Sequence, residues 1–302
     1  MAAISAAMVK ELREATGAGM MDCKAALQET GGDMEAAIDW LRKKGLAKAA
    51  KKSGRTAAEG LVVVSTAEDG GGARGVVVEV NSETDFVARN ETFQKMAGNI
   101  AVAALGTDGS IDSIRGAQYP GSDKTVDETV AGMVGQIGEN MAVRRSASVS
   151  VTEGVVAAYV HNQTVEGAGK IGVLVGLKSP GDKSKLLAVG KQLAMHVAAA
   201  RPLSGTIADL DASVVDREKA VLAEQARASG KPEEIIAKMV EGRLRKFYEE
   251  SVFLEQVFVM DGETKVAKVI EAASKDVGAP IEFAGFVRLE LGEGVERTAE
   301  ED

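Results

Sequence analysis

Two stretches of this sequence repeat one pattern, and that repeat limits the fold more than any other feature. Residues 58–105 read AEGLVVVSTAEDGGGARGVVVEVNSETDFVARNETFQKMAGNIAVAAL, and residues 152–200 read TEGVVAAYVHNQTVEGAGKIGVLVGLKSPGDKSKLLAVGKQLAMHVAAA. In each, Glu-Gly opens an apolar β-type run and a glycine-bearing turn follows. A second apolar run returns, and a short loop leads into an alanine-rich helical pattern. This is an internal β-hairpin-plus-helix repeat, and it predicts an α+β fold.

The two copies differ where the hairpin meets the helix. In the first, the apolar run 75–80 leads into Asn81-Ser82-Glu83-Thr84-Asp85-Phe86-Val87-Ala88-Arg89-Asn90, and a helical pattern begins near Glu91. This places Thr84-Asp85-Phe86-Val87 on a turn at a strand's carboxyl end. An aromatic there either folds back into the core or points outward as an anchor for a partner. A rigid aromatic beside a carboxylate is a common form of interface hot spot. In the second copy the same connection reads Lys178-Ser179-Pro180-Gly181-Asp182-Lys183-Ser184, with no large apolar side chain. The fold therefore does not require Phe86, which favours an external role for it.

The flanking segments organise around this repeat. Residues 1–54 carry three short helical patterns. Ser5 caps the first, which turns Met8, Val9 and Leu12 inward before Gly17-Ala18-Gly19 breaks it. The second covers 21–30 with Ala25, Ala26 and Leu27 inward. Asp33 caps the third, with Met34, Ala37, Ile38 and Leu41 on one face and Trp40 half-buried. The basic stretch 47–58 reads as a linker or a fading helix tail, and 106–123 reads as irregular. A helix from Val126 carries Val130, Met133, Val134, Ile137 and Met141, and a strand follows over 142–151. Gly135 and Gly138 in this helix cost about 1 kcal/mol each relative to alanine. Tight packing on the helix's own sheet, or the close approach of another backbone, would offset that.

Arg201-Pro202 stops the helix of the second copy. Residues 211–249 then read as an antiparallel hairpin of two charged helices with narrow apolar stripes, turning at Gly230-Lys231-Pro232, the first helix reaching Ser229. A helix over 264–275 ends before Gly278 and Pro280. An alternating strand over 281–291 should return to the sheet of the second unit, and the acidic end, 293–302, reads as frayed. The chain thus divides into 1–54, 55–145, 146–200 with 250–294, an inserted hairpin 201–249 and a tail 295–302.

Chemistry is sparse. A formal net charge of −9 argues against nonspecific nucleic-acid binding as the main activity. One cysteine, Cys23, and two histidines, His161 and His196, supply neither a disulfide nor a thiolate or imidazole metal cluster. There is no signal-peptide pattern and no apolar run long enough to span a membrane, so a cytoplasmic protein is expected. No GxSxG elbow, Walker A loop or HExxH pattern occurs, and Gly70-Gly71-Gly72 lies in a hairpin turn, not at a helix start. His161 reads as part of the second hairpin turn, and His196 as a structural residue of the alanine-rich helix. Neither an enzyme nor a metal or cofactor site is expected.

Several blocks, collinear over nearly the whole chain, resemble the bacterial translation elongation factor Ts family. They are Val9-Lys10-Glu11-Leu12-Arg13, Thr16-Gly17-Ala18-Gly19-Met20-Met21-Asp22-Cys23-Lys24-Ala25-Ala26-Leu27, Thr84-Asp85-Phe86-Val87-Ala88, Ile137-Gly138-Glu139-Asn140, Lys170-Ile171-Gly172-Val173-Leu174-Val175, Ala194-Met195-His196-Val197-Ala198, Lys238-Met239-Val240-Glu241-Gly242-Arg243 and Gly292-Glu293-Gly294. The resemblance implies a ubiquitin-associated-like helical domain, a core of two related subdomains and an inserted coiled-coil hairpin. It implies nucleotide exchange on elongation factor Tu, with Thr84, Asp85, Phe86 and Val87 dislodging the partner's magnesium ion. Lys24, Ile137, Gly138, His161, Val259 and Met260 match further contact positions. Residues 201–249 would serve in a homodimer or a 2:2 complex. Many members carry another helical module after Gly-Glu-Gly, where this sequence has only a few acidic residues, so no contact is assigned there. Two other readings are a metabolic enzyme built around His161 and a ubiquitin-type or RNA-binding adaptor built on the helical N-terminus and the basic linker. The first lacks a nucleophile, metal set or cofactor loop, and the acidic net charge argues against RNA binding in the second.

Overall fold

A computed structural model describes residues 4–228, 230 and 232–296. The three helices expected at the N-terminus form as α1 (Ala6–Thr16), α2 (Met20–Glu29) and α3 (Met34–Lys52).

 Ser5 and Asp33 accept backbone N–H groups as side-chain caps of α1 and α3, as their residue types favour. Leu12, Cys23, Ala26, Leu27 and Ala37 close a small core of their own. Ile38 departs from expectation. It is exposed, because the third helix turns that edge toward a cleft beside the core domain, lined also by Arg42, Gly132 and Gln136. Residues 47–52 belong to α3, so of the two readings of 47–58 the fading helix tail is the one that holds.

The repeat is realised as two hairpins. Strands β1 (Glu59–Asp69) and β2 (Gly72–Ser82) pair antiparallel from Glu59 with Ser82 to Asp69 with Gly72. A single helical turn, α4 (Asp85–Ala88), and α5 (Glu91–Leu105) follow. After α6 (Ile111–Gly116) and α7 (Val126–Ile137), β3 (Met141–Val151) pairs with β2. The second copy supplies β4 (Gly154–Val165), β5 (Ala168–Lys178) and α8 (Lys183–Ala200). The hairpin helices are α9 (Ala212–Arg227) and α10 (Glu233–Ser251), then α11 (Val266–Val277) and β6 (Glu282–Glu290), which returns to pair with β5 as expected. The expected end of the first hairpin helix at Ser229, the Lys231 position of its turn and the tail 297–302 lie outside the described residues.

Gly60 and Gly154 show that the two copies share backbone geometry as well as pattern. Their φ angles are 122° and 130°, and a Cβ at either would lie 2.2 or 2.1 Å from a carbonyl oxygen of the neighbouring strand. Only glycine fits that approach, which explains why Glu-Gly opens each hairpin.

The strand order is β3-β2-β1-β5-β4, with β6 also on β5, and β1 meets β5 over a short register, Val62–Gly169 and Val63–Ala168. The sheet curls so that two three-stranded halves face each other. Alternation along β2 then serves two cores. Val76, Val78 and Val80 pack beneath α5 and α7 with Phe93 and Ile100. Val77 turns the other way, into a shared core with Val62, Val156, Leu174 and Leu289. On the far side, Val173, Val175 and Leu177 of β5 pack with Leu186, Leu193 and Val197 of α8 and with Phe253. The result is helix, sheet, sheet, helix.

Two differences from the sequence reading have plain causes. Residues 106–123 contain α6, capped by Ser110 and anchored by the buried Ile114; one apolar anchor in a polar stretch gives no periodicity to read. His161 lies within β4, paired with Ile171, not in the hairpin turn. The strand continues through polar residues because backbone pairing needs no apolar side chain where both faces are wet. The fold also holds a buried charge that the alternation hides. Glu79, fully buried, accepts from Arg144 at 3.0 and 3.1 Å, from Asn81 Nδ2 at 3.0 Å, from the Gly292 N–H at 2.8 Å and from Arg145. It ties β2 and β3 of one half to the end of β6 in the other.

Candidate functional site

The turn after β2 is anchored on one side and bare on the other. Val87 and Ala88 are buried against the α5 core, while Phe86 is 78% exposed, the highest value among the large apolar side chains described. The core is filled instead by Phe93, one helix further on and fully buried. Asp85 stands beside Phe86 and pairs with Arg89 across one helical turn at 2.6 Å. Both partners are substantially exposed, so this pair contributes little and yields readily to another ligand.

The turn is braced from the α7–β3 connection. The Thr84 N–H donates to Glu139 Oε2 at 3.0 Å and its hydroxyl donates to Oε1 at 2.8 Å. In return the Asn140 N–H donates to the Glu83 carboxylate, and Asn140 Nδ2 donates to the Arg55 carbonyl at 2.7 Å. Gly138 ends α7 with φ at 90°, and its carbonyl accepts from Lys52 at the end of α3. Thus the two glycines of the helix part company. Gly138 is a left-handed cap. Gly135 answers the close-approach question: a Cβ there would sit 3.0 Å from the Cα of Gly45, so the neighbouring backbone belongs to α3 and not to the helix's own sheet. Ile137 and Gly138 are therefore joined to the Phe86 turn in one surface region. Glu139, Asn140 and Glu83 were not marked as site residues by sequence reasoning. Glu139 and Asn140 were signalled only by membership of Ile137-Gly138-Glu139-Asn140, and Glu83 only by its place in the stretch before Thr84, since a hydrogen bond spanning 55 residues leaves no periodic trace.

Lys24 lies elsewhere, exposed on α2. Met20 and Met21, 62% and 74% exposed, precede it by one helical turn and share its face.

A third region belongs to the second half. Val259 and Met260 are exposed on the turn that follows the buried Phe258. His196, fully buried in α8, holds that turn. Its Nδ1 accepts from the Val259 N–H at 3.2 Å, which leaves Nε2–H to donate to Gln256 Oε1 at 2.9 Å. Rings of Phe253 and Phe258 lie 5.7 Å away on either count. Burial holds the imidazole below its ordinary pKa, against a smaller opposing effect of Gln256, so the ring is neutral near pH 7. The expectation of a structural His196 is met, with an added part in shaping the Val259 turn. His161 is exposed on β4, and Tyr159 Oη lies 3.1 Å from its Nδ1. Among the described residues, His161 meets Tyr159 and the Val259 turn meets His196, and neither is hydrogen-bonded to the Phe86 turn.

The α9–α10 hairpin buries Leu222, Ala226 and Ile236 and leaves Val221 and Ile235 exposed. No helix among the described residues is long and apolar enough to cross a membrane.

By sequence, residues 83–293 match the family described as elongation factor Ts. The chain is 62% identical over 297 residues to elongation factor Ts of Rhodospirillum centenum, covering 98% of this chain and 95% of that relative. It is 61% identical over 297 residues to elongation factor Ts of Parvibaculum lavamentivorans, with the same coverage. It is 60% identical over 294 residues to that of Sinorhizobium medicae, covering 97% and 94%.

Proposed function

The chain belongs to the elongation factor Ts family, and we propose that it promotes GDP release from elongation factor Tu through a wedge formed by Asp85 and Phe86. Thr84 and Val87 flank that wedge and fix it to the core. The observation that carries the reading is Phe86 itself: 78% exposed, on a turn whose neighbours Val87 and Ala88 are buried.

The physics is linkage. A factor that binds the nucleotide-free GTPase more tightly than the GDP-bound form weakens GDP binding by the same ratio. No acid, base or covalent intermediate is needed, and the activity is exchange, not covalent catalysis. Burying Phe86 in the partner supplies about 1.5–3 kcal/mol. Displacing the magnesium ion supplies more, because a bound cation is the largest local charge holding the phosphates. Asp85 suits that task, since the exposed Arg89 releases it at small cost.

Ile137 and Gly138 extend the same contact. Lys24 on the helical N-terminal domain, and His161, Val259 and Met260 on the second half, form further contacts with the partner. The three N-terminal helices act as a ubiquitin-associated-like domain over 1–54, the core subdomains cover 55–145 and 146–200 with 250–294, and the hairpin 201–249 pairs with another copy or with the partner through Val221 and Ile235. A place in the cytoplasm accords with a role in translation.

The test is release of a fluorescent GDP analogue from purified elongation factor Tu, with and without this protein, over a range of magnesium concentrations. Strong acceleration that fades as magnesium rises agrees with the wedge. Acceleration indifferent to magnesium keeps the exchange activity and removes this mechanism.

A further inference from the structure

We propose that Glu139 is the positioning residue of the Asp85–Phe86 wedge, holding the turn in its outward form before the partner arrives. The inference rests on the wedge reading above. The turn α4 has four residues, far fewer than a helix needs to persist by itself in water. Thr84 occupies its N-cap, where a threonine side chain normally accepts a backbone N–H of the first turn. Here it makes no such bond. Its hydroxyl and N–H both go to Glu139 instead, at 2.8 and 3.0 Å.

Both carboxylate oxygens of Glu139 are thereby committed to the residue immediately before Asp85 and Phe86. Bonds to an ionised acceptor are the stronger kind, and two to one residue fix orientation as well as distance. Val87 and Ala88 secure the far end of the turn in the core. The near end is held by this attachment, by its counterpart from the Asn140 N–H to Glu83, and by the Ser82 hydroxyl, which donates to the Thr84 carbonyl at 3.0 Å; of these, only the Glu139 bonds hold both the N–H and the side chain of Thr84. Glu139 is itself held in place. Gly138 before it receives Lys52, and Asn140 after it reaches the Arg55 carbonyl. A wedge fixed in advance spares the ordering cost that a loose aromatic would meet on binding.

The experiment compares GDP release by the wild type, Glu139→Gln, Phe86→Ala and the double variant, with hydrogen exchange of the Thr84 amide measured in the free proteins. The neutral amide side chain of Glu139→Gln cannot accept both Thr84 bonds in the same geometry. Expected are a roughly tenfold lower kcat/KM for Glu139→Gln, faster exchange of the Thr84 amide, and little further loss when Glu139→Gln is added to Phe86→Ala. Unchanged protection at Val76, Val78 and Val80 reports an intact sheet. An equal loss from Glu139→Gln in both backgrounds, or an unaltered Thr84 amide, overturns the positioning role alone. A wild-type rate for Phe86→Ala sinks the wedge reading and this proposal with it.

Discussion

After β2 the chain makes a single helical turn that carries Phe86 outward, whereas after β5 the corresponding residues tuck beneath the end of α11. Ser179 is buried there, the Asp182 N–H donates to the Val277 carbonyl at 2.9 Å, and a Cβ on Gly181 would lie 2.6 Å from Val277. Both connections leave hairpins opened by a glycine in the same conformation, at Gly60 and Gly154. The difference is therefore not in the unit but in what covers it. A covered connection has no room for an aromatic, and an uncovered one can present it. The repeat presents two equivalent loops, and α11 covers one of them while the other stays open to contact.

The strongest break of this comparison removes the charge that joins the two halves. Glu79→Ala leaves Arg144 and Arg145 without their buried partner and should cost about 3–5 kcal/mol, read by urea unfolding. A loss confined to the first half, seen as separate transitions in hydrogen exchange, would show the halves to be less coupled than the shared carboxylate implies.

Phe86→Ala comes next. It should lower kcat/KM for GDP release by about ten- to a hundredfold, the equivalent of 1.5–3 kcal/mol of lost burial in the partner. Stability should stay within about 0.5 kcal/mol, since the side chain is exposed. The matching change in the other loop has the opposite profile. Gly181→Ala should destabilise by about 1–3 kcal/mol through overpacking against Val277, while exchange per folded molecule holds. A variant that lost exchange without losing stability would place a contact where the structure shows packing.

The smallest effect sharpens the second half. The folded pKa of His196 lies below its unfolded value because burial disfavours the charged ring. Between those two values the unfolded chain binds more protons, so stability is full above the ordinary histidine pKa of 6.5 and falls as pH drops below it. Denaturation midpoints from pH 7.5 to 5 should show this slope, and His196→Gln should flatten it. A slope unchanged by that substitution would assign it to other groups.

Much of this was legible in the chain itself. The apolar runs at 75–80 and 171–177, the glycine turns and the Ser5 and Asp33 caps act between near neighbours, so they mark sequence directly. The repeat, the returning strand β6 and the charged hairpin followed from them. What could not be read depends on residues far apart. Ile38 faces a cleft because α3 meets α7, and Gly135 is small because Gly45 lies against it. His161 fell inside a strand because pairing with Ile171 continues past the apolar run.

The sequence alone determined that there are two related units, that one loop carries an aromatic and the other does not, and that catalytic groups are scarce. Each of these is a matter of which residues occur and in what local order. Only the tertiary structure decided that Phe86 faces outward, that Glu139 holds Thr84, and that Glu79 lies buried between arginines. Those depend on how α7, β3 and β6 are brought against β2, and packing geometry of that range is fixed by the sum of many weak contacts rather than by any local pattern.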